Sequence, residues 1–380
     1  MNLKNNFTIY LRKILLIIFI SCFSLIADPI YKLPETITFA GTNVPLEKFD
    51  VKNRIEKVFN NLIHDRRGYI QSIIDRQNTH LPLANHILRQ YGLDSDFSYI
   101  IPVESDFNLR AMSKSKASGP WQLMPATARM YGLRVDQQVD ERNLLYRSTQ
   151  ASAEHLAHLM YIFDNDVFLT LAAFNNGEGN VTSMLKSQNS KNFWDCISNS
   201  ETDLYVPKII AYKIILSNPE EYGFRSSVIK NPIYRSYMIS LGAKNLPYKE
   251  ICGMLNINFR EFYNTNPHLK YKSYKSESYI SKFTALEVFI PKGSEELLES
   301  ELINNGYLTS DNITVADSSF QQLILEKYIV ENTDNIESIA FRYGISWKEI
   351  AELNDLEIIK MSSGTETAKI YPGQELIINR

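Results

Sequence analysis

Glu104 is the residue around which chemistry can be built. Phe97, Ile100, Ile101 and Glu104 fall at i, i+3, i+4 and i+7, so on a helix they share one face. A carboxyl on an apolar face is costly when ionised, and burial raises its pKa, which suits a general acid working near neutrality. The alternative is a helix that ends at Pro102 and leaves Glu104 in water. Two further stretches bear on the choice: Ser118-Gly-Pro-Trp-Gln-Leu-Met-Pro and Ala172-Ala-Phe-Asn-Asn-Gly-Glu-Gly-Asn. Trp121, Met124 and Phe174 offer apolar walls, Gln122 and Asn175 offer amide donors and acceptors, and Gly119, Gly177 and Gly179 let backbone approach a ligand. Taken singly, the tryptophan reads as core and the glycines as turns. Taken together, amides, aromatics and one buried acid suit a polar, uncharged carbohydrate.

The other acids fit less well. Asp106, two residues beyond Glu104, would face away on a helix. Glu178 reads as structural, at a helix start where negative charge is favourable. Glu154, His155 and His158 match no zinc signature and read as a solvated helix face. The pattern therefore calls for no metal and no cofactor.

The elements that must position these residues are mainly helical. Val51 to Tyr91 has helical periodicity, with Ala84, Ile87, Leu88 and Tyr91 on one face and Gly92 ending it. Residues 148–163 repeat the stripe, 167–174 suit a short buried helix, and a helix over 206–216 places Pro207 in its first turn. Beyond about 225 the character changes. Lys327-Tyr-Ile-Val-Glu and Glu375-Leu-Ile-Ile-Asn read as strands flanking two short amphipathic segments joined at Gly344, with Pro372-Gly373 turning into the last strand. A weaker copy of this strand–helix–helix–strand order runs from Tyr237 to Gly293, and 293–322 reads as a linker with some helix.

The chain has 380 residues, enough for two or three domains. Its formal charge of −3 argues against a nucleic-acid binder, which would carry a basic excess. The first 27 residues contain Lys4, Arg12 and Lys13 and no acid, followed by an uncharged run from Ile14 to Ala27, which reads as an export signal. It is open to cleavage before Asp28, to lipidation at Cys22, or to retention as an anchor. Export and association with a membrane follow as expectations. Cys196 and Cys252 imply no disulfide framework and read as buried free thiols.

Ile101-Pro-Val-Glu-Ser-Asp-Phe, Gly119-Pro-Trp-Gln-Leu-Met-Pro, Ala173-Phe-Asn-Asn-Gly-Glu-Gly-Asn and Tyr205-Val-Pro-Lys, in that order, resemble the lytic transglycosylases of the goose-lysozyme-like superfamily, most of all their membrane-bound D group. The resemblance covers about 75–225. It implies a mainly α, lysozyme-like catalytic domain. It implies that Glu104 is the catalytic acid/base and that Ser105, Gln122, Met124, Phe174, Asn175 and Tyr205 meet the substrate. Phe174 departs from the family, which usually has tyrosine there. Residues 327–378 are similar to LysM, a small α+β (βααβ) peptidoglycan-binding module, with Thr333, Asp334, Asn335 and Asn354 at its glycan-binding positions. The unit at 235–292 resembles a degenerate LysM.

The expected organisation is a signal at 1–27, a helical extension at 28–74, the catalytic domain at 75–225, the degenerate LysM-like unit at 235–292, a linker at 293–322 and a LysM domain at 323–380. The family's chemistry implies cleavage between N-acetylmuramic acid and N-acetylglucosamine in the glycan strands of peptidoglycan. One residue protonates the leaving oxygen, then takes the proton of the muramoyl 6-hydroxyl as a 1,6-anhydro ring closes. Ordinary glycosidases use two carboxylates. A hydrolytic muramidase would need a second acid, which is not obvious here. A non-enzymatic wall-binding protein would not need Glu104, Gln122 and Asn175 intact. The resemblance places the protein in the periplasm; its oligomeric state is not legible.

Overall fold

A computed structural model describes residues 31–225, 234–271, 278–308, 325–332, 334–343, 346–354, 356–360 and 366–379. The segment expected to be an export signal, with Cys22, and also Thr333 and Gly344, lie outside the described residues. No described helix is long and apolar enough to cross a membrane.

The first part opens with a hairpin of β1 (Thr38–Phe39) and β2 (Thr42–Asn43), followed by α1 (Phe49–Asn60) and α2 (Arg67–Gln90). The stretch with helical periodicity from Val51 to Tyr91 thus holds two helices, separated by a π-helical turn at Asn61–Asp65. Gly92 does end α2: at φ +70° it allows Leu93 N–H to reach back to the Leu88 carbonyl at 3.0 Å. Since α2 runs unbroken through 74 and 75, no structural boundary separates an N-terminal extension from the helices that follow.

After a 3₁₀ turn at Ser95–Tyr99 come α3 (Ile100–Ser105), α4 (Pro125–Met130), α5 (Leu145–Ile162), α6 (Val167–Asn176), α7 (Glu178–Ser187) and α8 (Ser200–Ser217). Helix α8 begins six residues earlier than 206, because the Asn199 side chain caps it by accepting from Glu201 and Thr202 N–H. Pro207 consequently lies inside the helix rather than in its first turn. Val206, Ile209, Ile210 and Ile215 of α8 are fully buried, making it a central packing element against α1, α3 and α6. This core of branched aliphatics fixes the helices that carry Glu104 and Asn175.

The C-terminal half holds two copies of one small unit. The first is β3 (Tyr234–Ser240), the short β4 (Leu246–Pro247), α9 (Tyr248–Met254), α10 (Phe259–Thr265), the short β5 (Tyr279–Ile280) and β6 (Ala285–Pro291). Here β3 and β6 pair antiparallel from Tyr234↔Pro291 to Ser240↔Ala285. Helix α11 (Glu295–Asn304) follows, and its Leu298 and Leu302, with Tyr307, complete this unit's core beside Ile239, Leu246 and Val288. Residues 293–308 are therefore part of the module and not linker: a two-stranded sheet with two short helices leaves an apolar face that α11 covers.

The second unit is β7 (Leu325–Ile329), α12 (Ile336–Tyr343), α13 (Trp347–Leu353), a hairpin of β8 (Ile358–Lys360) and β9 (Glu366–Ala368), and β10 (Glu375–Asn379), with β7 and β10 antiparallel. It has a separate core of Val330, Ile336, Ile339, Ile350, Leu376 and Ile378. The repeat extends to a polar detail. Asn354 donates to the Ile377 carbonyl at 2.6 Å and accepts from Ile377 N–H at 2.5 Å. Asn266 does the same with Phe289, at 3.0 and 2.7 Å. In both copies an asparagine after the second helix clamps the last strand, replacing the ladder partners a two-stranded sheet lacks on that edge.

Candidate active site

Glu104 lies in the last turn of α3, and Pro102 sits in the first turn of that helix without ending it. A proline there needs no N–H partner. Phe97, Ile100 and Ile101 are buried beneath it, so Glu104 does stand on an apolar face, although Phe97 belongs to the preceding 3₁₀ turn. The residue keeps partial exposure while its carboxyl lies deep among protein atoms. Desolvation is the chief cause that pushes its pKa up to about 7; the Tyr205 hydrogen bond and Lys208 pull the other way, and Glu201 adds to the rise. Tyr205, buried on α8, donates its hydroxyl to Glu104 Oε1 at 2.5 Å. That bond engages Oε1.

The turn after Glu104 is strained. Asp106 and Phe107 have φ of +55° and +59°, values uncommon for residues with a side chain. Asp106 follows the helix rather than lying on it, and α2 holds it: Tyr69 donates to its carboxylate, and Arg76 Nη1 donates to its carbonyl at 2.7 Å. Tyr69 and Arg76 were not foreseen, because nothing local marks a residue whose partner lies 30 or more positions away.

Four sequence motifs form a closed ring. Ser105 Oγ donates to the Pro120 carbonyl at 2.8 Å. Trp121 meets Phe174 edge-on, ring centroids 6.2 Å apart. Asn175 Oδ1 accepts from Thr202 Oγ1 at 2.8 Å. Tyr205 returns to Glu104. Two of the residues singled out in the sequence have their polar groups engaged within the protein. Ser105 is buried and its hydroxyl is spent within the protein, so it positions α3. Trp121 is fully buried, with its indole N–H on Thr149 Oγ1 at 2.9 Å, and is core rather than a cleft wall.

Gln122 (φ +47°) turns its amide nitrogen onto the carbonyls of Gly119 (2.8 Å) and Ala111 (3.1 Å), leaving only its oxygen free to serve a ligand. The loop has few ladder partners, so its carbonyls take donors from side chains. Asn175 is used in the opposite sense: Thr202 takes its oxygen and leaves its N–H groups. Met124 is exposed, beside the loop.

Phe174 also stacks against His155, ring centroids 5.5 Å apart, and Tyr131 meets His155 Nδ1 at 3.1 Å. His155 is therefore half-buried, contrary to a wholly solvated helix face, and burial lowers its pKa to about 4. Glu154 and His158 are exposed as expected, and His158 faces Glu178 at 3.4 Å in the first turn of α7. No group of three or more His, Cys, Asp or Glu among the described residues is placed to hold a metal ion. Cys196 and Cys252 are both buried free thiols.

In the C-terminal unit, Asp334 accepts from Tyr328 and from Glu331 N–H, and Asn335 caps α12 by accepting from Ser338 N–H at 2.7 Å. With Asn354 clamped to β10, these three residues all make hydrogen bonds within the module. Short polar side chains at turns close such local bonds first.

Comparison with known proteins agrees with the motif order. The Transglycosylase SLT domain family matches residues 83–197, and the LysM domain family matches 328–379. The chain is 30% identical over 318 residues to the membrane-bound lytic murein transglycosylase D of Escherichia coli strain K12, covering 82% of this chain and 66% of that protein. Among solved structures it is similar to an inactive mutant of the lytic transglycosylase Slt from Pseudomonas aeruginosa (25% identity, TM-score 0.31, 37% of this chain and 24% of that one). It is also similar to the 70 kDa soluble lytic transglycosylase of Escherichia coli (21% identity, TM-score 0.32, 44% of this chain and 33% of that one).

Proposed function

We propose that this chain, which belongs to the SLT-domain lytic transglycosylases with a C-terminal LysM module, cuts peptidoglycan between N-acetylmuramic acid and N-acetylglucosamine and leaves a 1,6-anhydromuramoyl end. The observation that carries this reading is a deep carboxyl with a pKa near 7, bonded through one oxygen by a buried tyrosine. A group poised near ambient pH can give a proton to the leaving glycosidic oxygen and take one back from the muramoyl 6-hydroxyl. The substrate's own acetamido oxygen stabilises the cationic centre in between, so neither a second carboxylate nor a metal is required.

Gln122 and Asn175 support the same substrate. One presents an oxygen acceptor and the other N–H donors, the complement of an acetamido group's N–H and C=O. The Phe174 ring retains the apolar contact that suits a sugar face but has no hydroxyl to offer.

The LysM unit holds the enzyme on the wall, and the acid-free basic start delivers it to the cell envelope, where Cys22 or an uncleaved signal would keep it near the membrane. The deciding experiment is muropeptide mass after digestion of purified sacculi. Products lighter by one water than hydrolytic ones are expected. Reducing-end products alone would move the reading to a muramidase on the same scaffold.

A further inference from the structure

We propose that the first LysM-like unit, residues 234–308, is a buttress of the catalytic cleft and not a glycan-binding module: its turn Asn266–Leu269 locks the loop that carries Gln122 and Met124. The proposal deepens the reading of the cleft above and rests on it for the role of that loop.

The turn follows α10 and is buried throughout. Three successive carbonyls of it are taken by the catalytic domain. Asn266 accepts from Arg110 Nη2 at 2.9 Å, Pro267 from Asn143 Nδ2 at 3.1 Å, and His268 from Asp140 N–H at 2.9 Å. Arg110 also donates to the Tyr263 carbonyl at 2.5 Å, with its guanidinium 3.7 Å from that ring's centroid. Val139 forms a β-bridge with Leu269, and its side chain is fully buried in the unit's own core. A core residue contributed from outside is the mark of a unit folded onto its neighbour rather than tethered to it.

The same residues then reach the cleft loop. Asn143 Oδ1 accepts from Ser118 Oγ at 2.9 Å. Asp140 and Arg142 form a buried bidentate ion pair, both bonds 2.8 Å. The remaining nitrogen of Arg142 donates to the carbonyls of Lys116 (2.7 Å) and Leu123 (2.8 Å). These two residues bracket the Gly119–Gln122 turn. Gly119 packs so closely there that an added methyl would sit 1.8 Å from the Arg142 carbonyl. Arg110 lies next to Ala111, whose carbonyl receives the Gln122 amide and Gly119 N–H. Two relays thus run from the module to the Gln122 loop, one through Arg110 and one through Asp140, Arg142 and Asn143. Their residues act through that loop and are positioning residues, each of their bonds named above being made within the protein.

The test uses the full chain with Arg110→Met, which keeps the stem's bulk but removes both bonds to the unit, beside Arg110→Lys, which can restore one. Backbone hydrogen exchange is followed at Ser118, Gly119 and Gln122, together with turnover on short soluble glycan fragments and pull-down on insoluble sacculi. The expected result is faster exchange at those three amides with α2 and α8 unchanged. Turnover should fall about ten- to a hundredfold in kcat/KM, the scale of an ångström-level misplacement, with partial recovery in Arg110→Lys and pull-down equal to wild type. Unchanged exchange at the three amides overturns the proposal. So does lost pull-down with the loop still protected, which would make the unit a glycan binder. Should Arg110→Met fail to fold, Asn143→Ala removes the link from the Pro267 carbonyl to Ser118 in the other relay and is read by the same amides. Exchange needs no activity, so a failure of the transglycosylase reading and a failure of the buttress are separable.

Discussion

Replacing Glu104 by glutamine separates two consequences of one buried carboxyl. The substitution preserves shape and can still accept from Tyr205, but it can neither give nor recover a proton near neutrality. Acid–base catalysis is typically worth about a hundred- to ten-thousandfold in rate, and cutting should fall by at least that much because the same group acts twice. The second consequence is a gain in stability that depends on pH. In the fold the Glu104 pKa is raised from 4.5 to about 7, chiefly by desolvation. Below pH 4.5 the carboxyl is protonated in the folded and unfolded states alike and carries no penalty. Between there and pH 7 the unfolded chain ionises first and the fold loses stability as pH rises. At 1.36 kcal/mol per unit, the full loss above pH 7 is about 3 kcal/mol. Glutamine has no such loss. Glu104→Gln should melt close to wild type at pH 4.5 and above it at pH 8, by on the order of 5–10 °C for a domain of this size. Glu178→Gln is the control: that side chain is exposed at a helix start, and both its activity and its melting should follow wild type. A melting difference that stays constant from pH 4.5 to 8 would refute a buried, perturbed Glu104. An active Glu104→Gln enzyme beside a folded but inactive Glu178→Gln one would refute its role.

Three further outcomes follow from the same geometry. Thr202→Val should leave Asn175 without the bond that orients its amide, raising KM several-fold on short fragments at little cost to folding, and Thr202→Ser should restore it; equal KM values for all three proteins would show that the orientation does not matter. Gly119→Ala should destabilise by more than the roughly 1–3 kcal/mol of backbone strain alone, since its φ is +83° and the new methyl meets the Arg142 carbonyl; calorimetric melting within a degree of wild type would contradict this. Removal of 325–380, whose core is separate, should weaken pull-down on sacculi while sparing turnover on short soluble fragments, because a tether raises local concentration without altering the barrier; equal pull-down would mean that this module does not bind the wall.

The residues of the candidate site could be picked out in sequence because each motif is local: a helical apolar face ending in Glu104, a glycine turn holding Gln122, and a buried helix with Asn175 in its last turn. Helix existence was legible for the same reason, from periodicity and from glycines such as Gly92. Helix starts were not, since Asn199 caps α8 through two N–H groups that no periodicity reveals. The repeat in the C-terminal half was visible as element order, but the role of the asparagine after each second helix was not. Only the folded chain shows Asn266 and Asn354 clamping strands about 23 residues further on. The direction in which Gln122 and Asn175 present their amides was decided entirely by partners from other segments, Ala111 and Thr202. So was the conversion of 293–308 from an apparent linker into core, because burial of Leu298 and Leu302 depends on a sheet face that the sequence does not display. Local spacing determines which residues share a face. What that face meets, and which hydrogen bonds remain for a substrate, depends on contacts between segments far apart in the chain, whose energies no local pattern encodes.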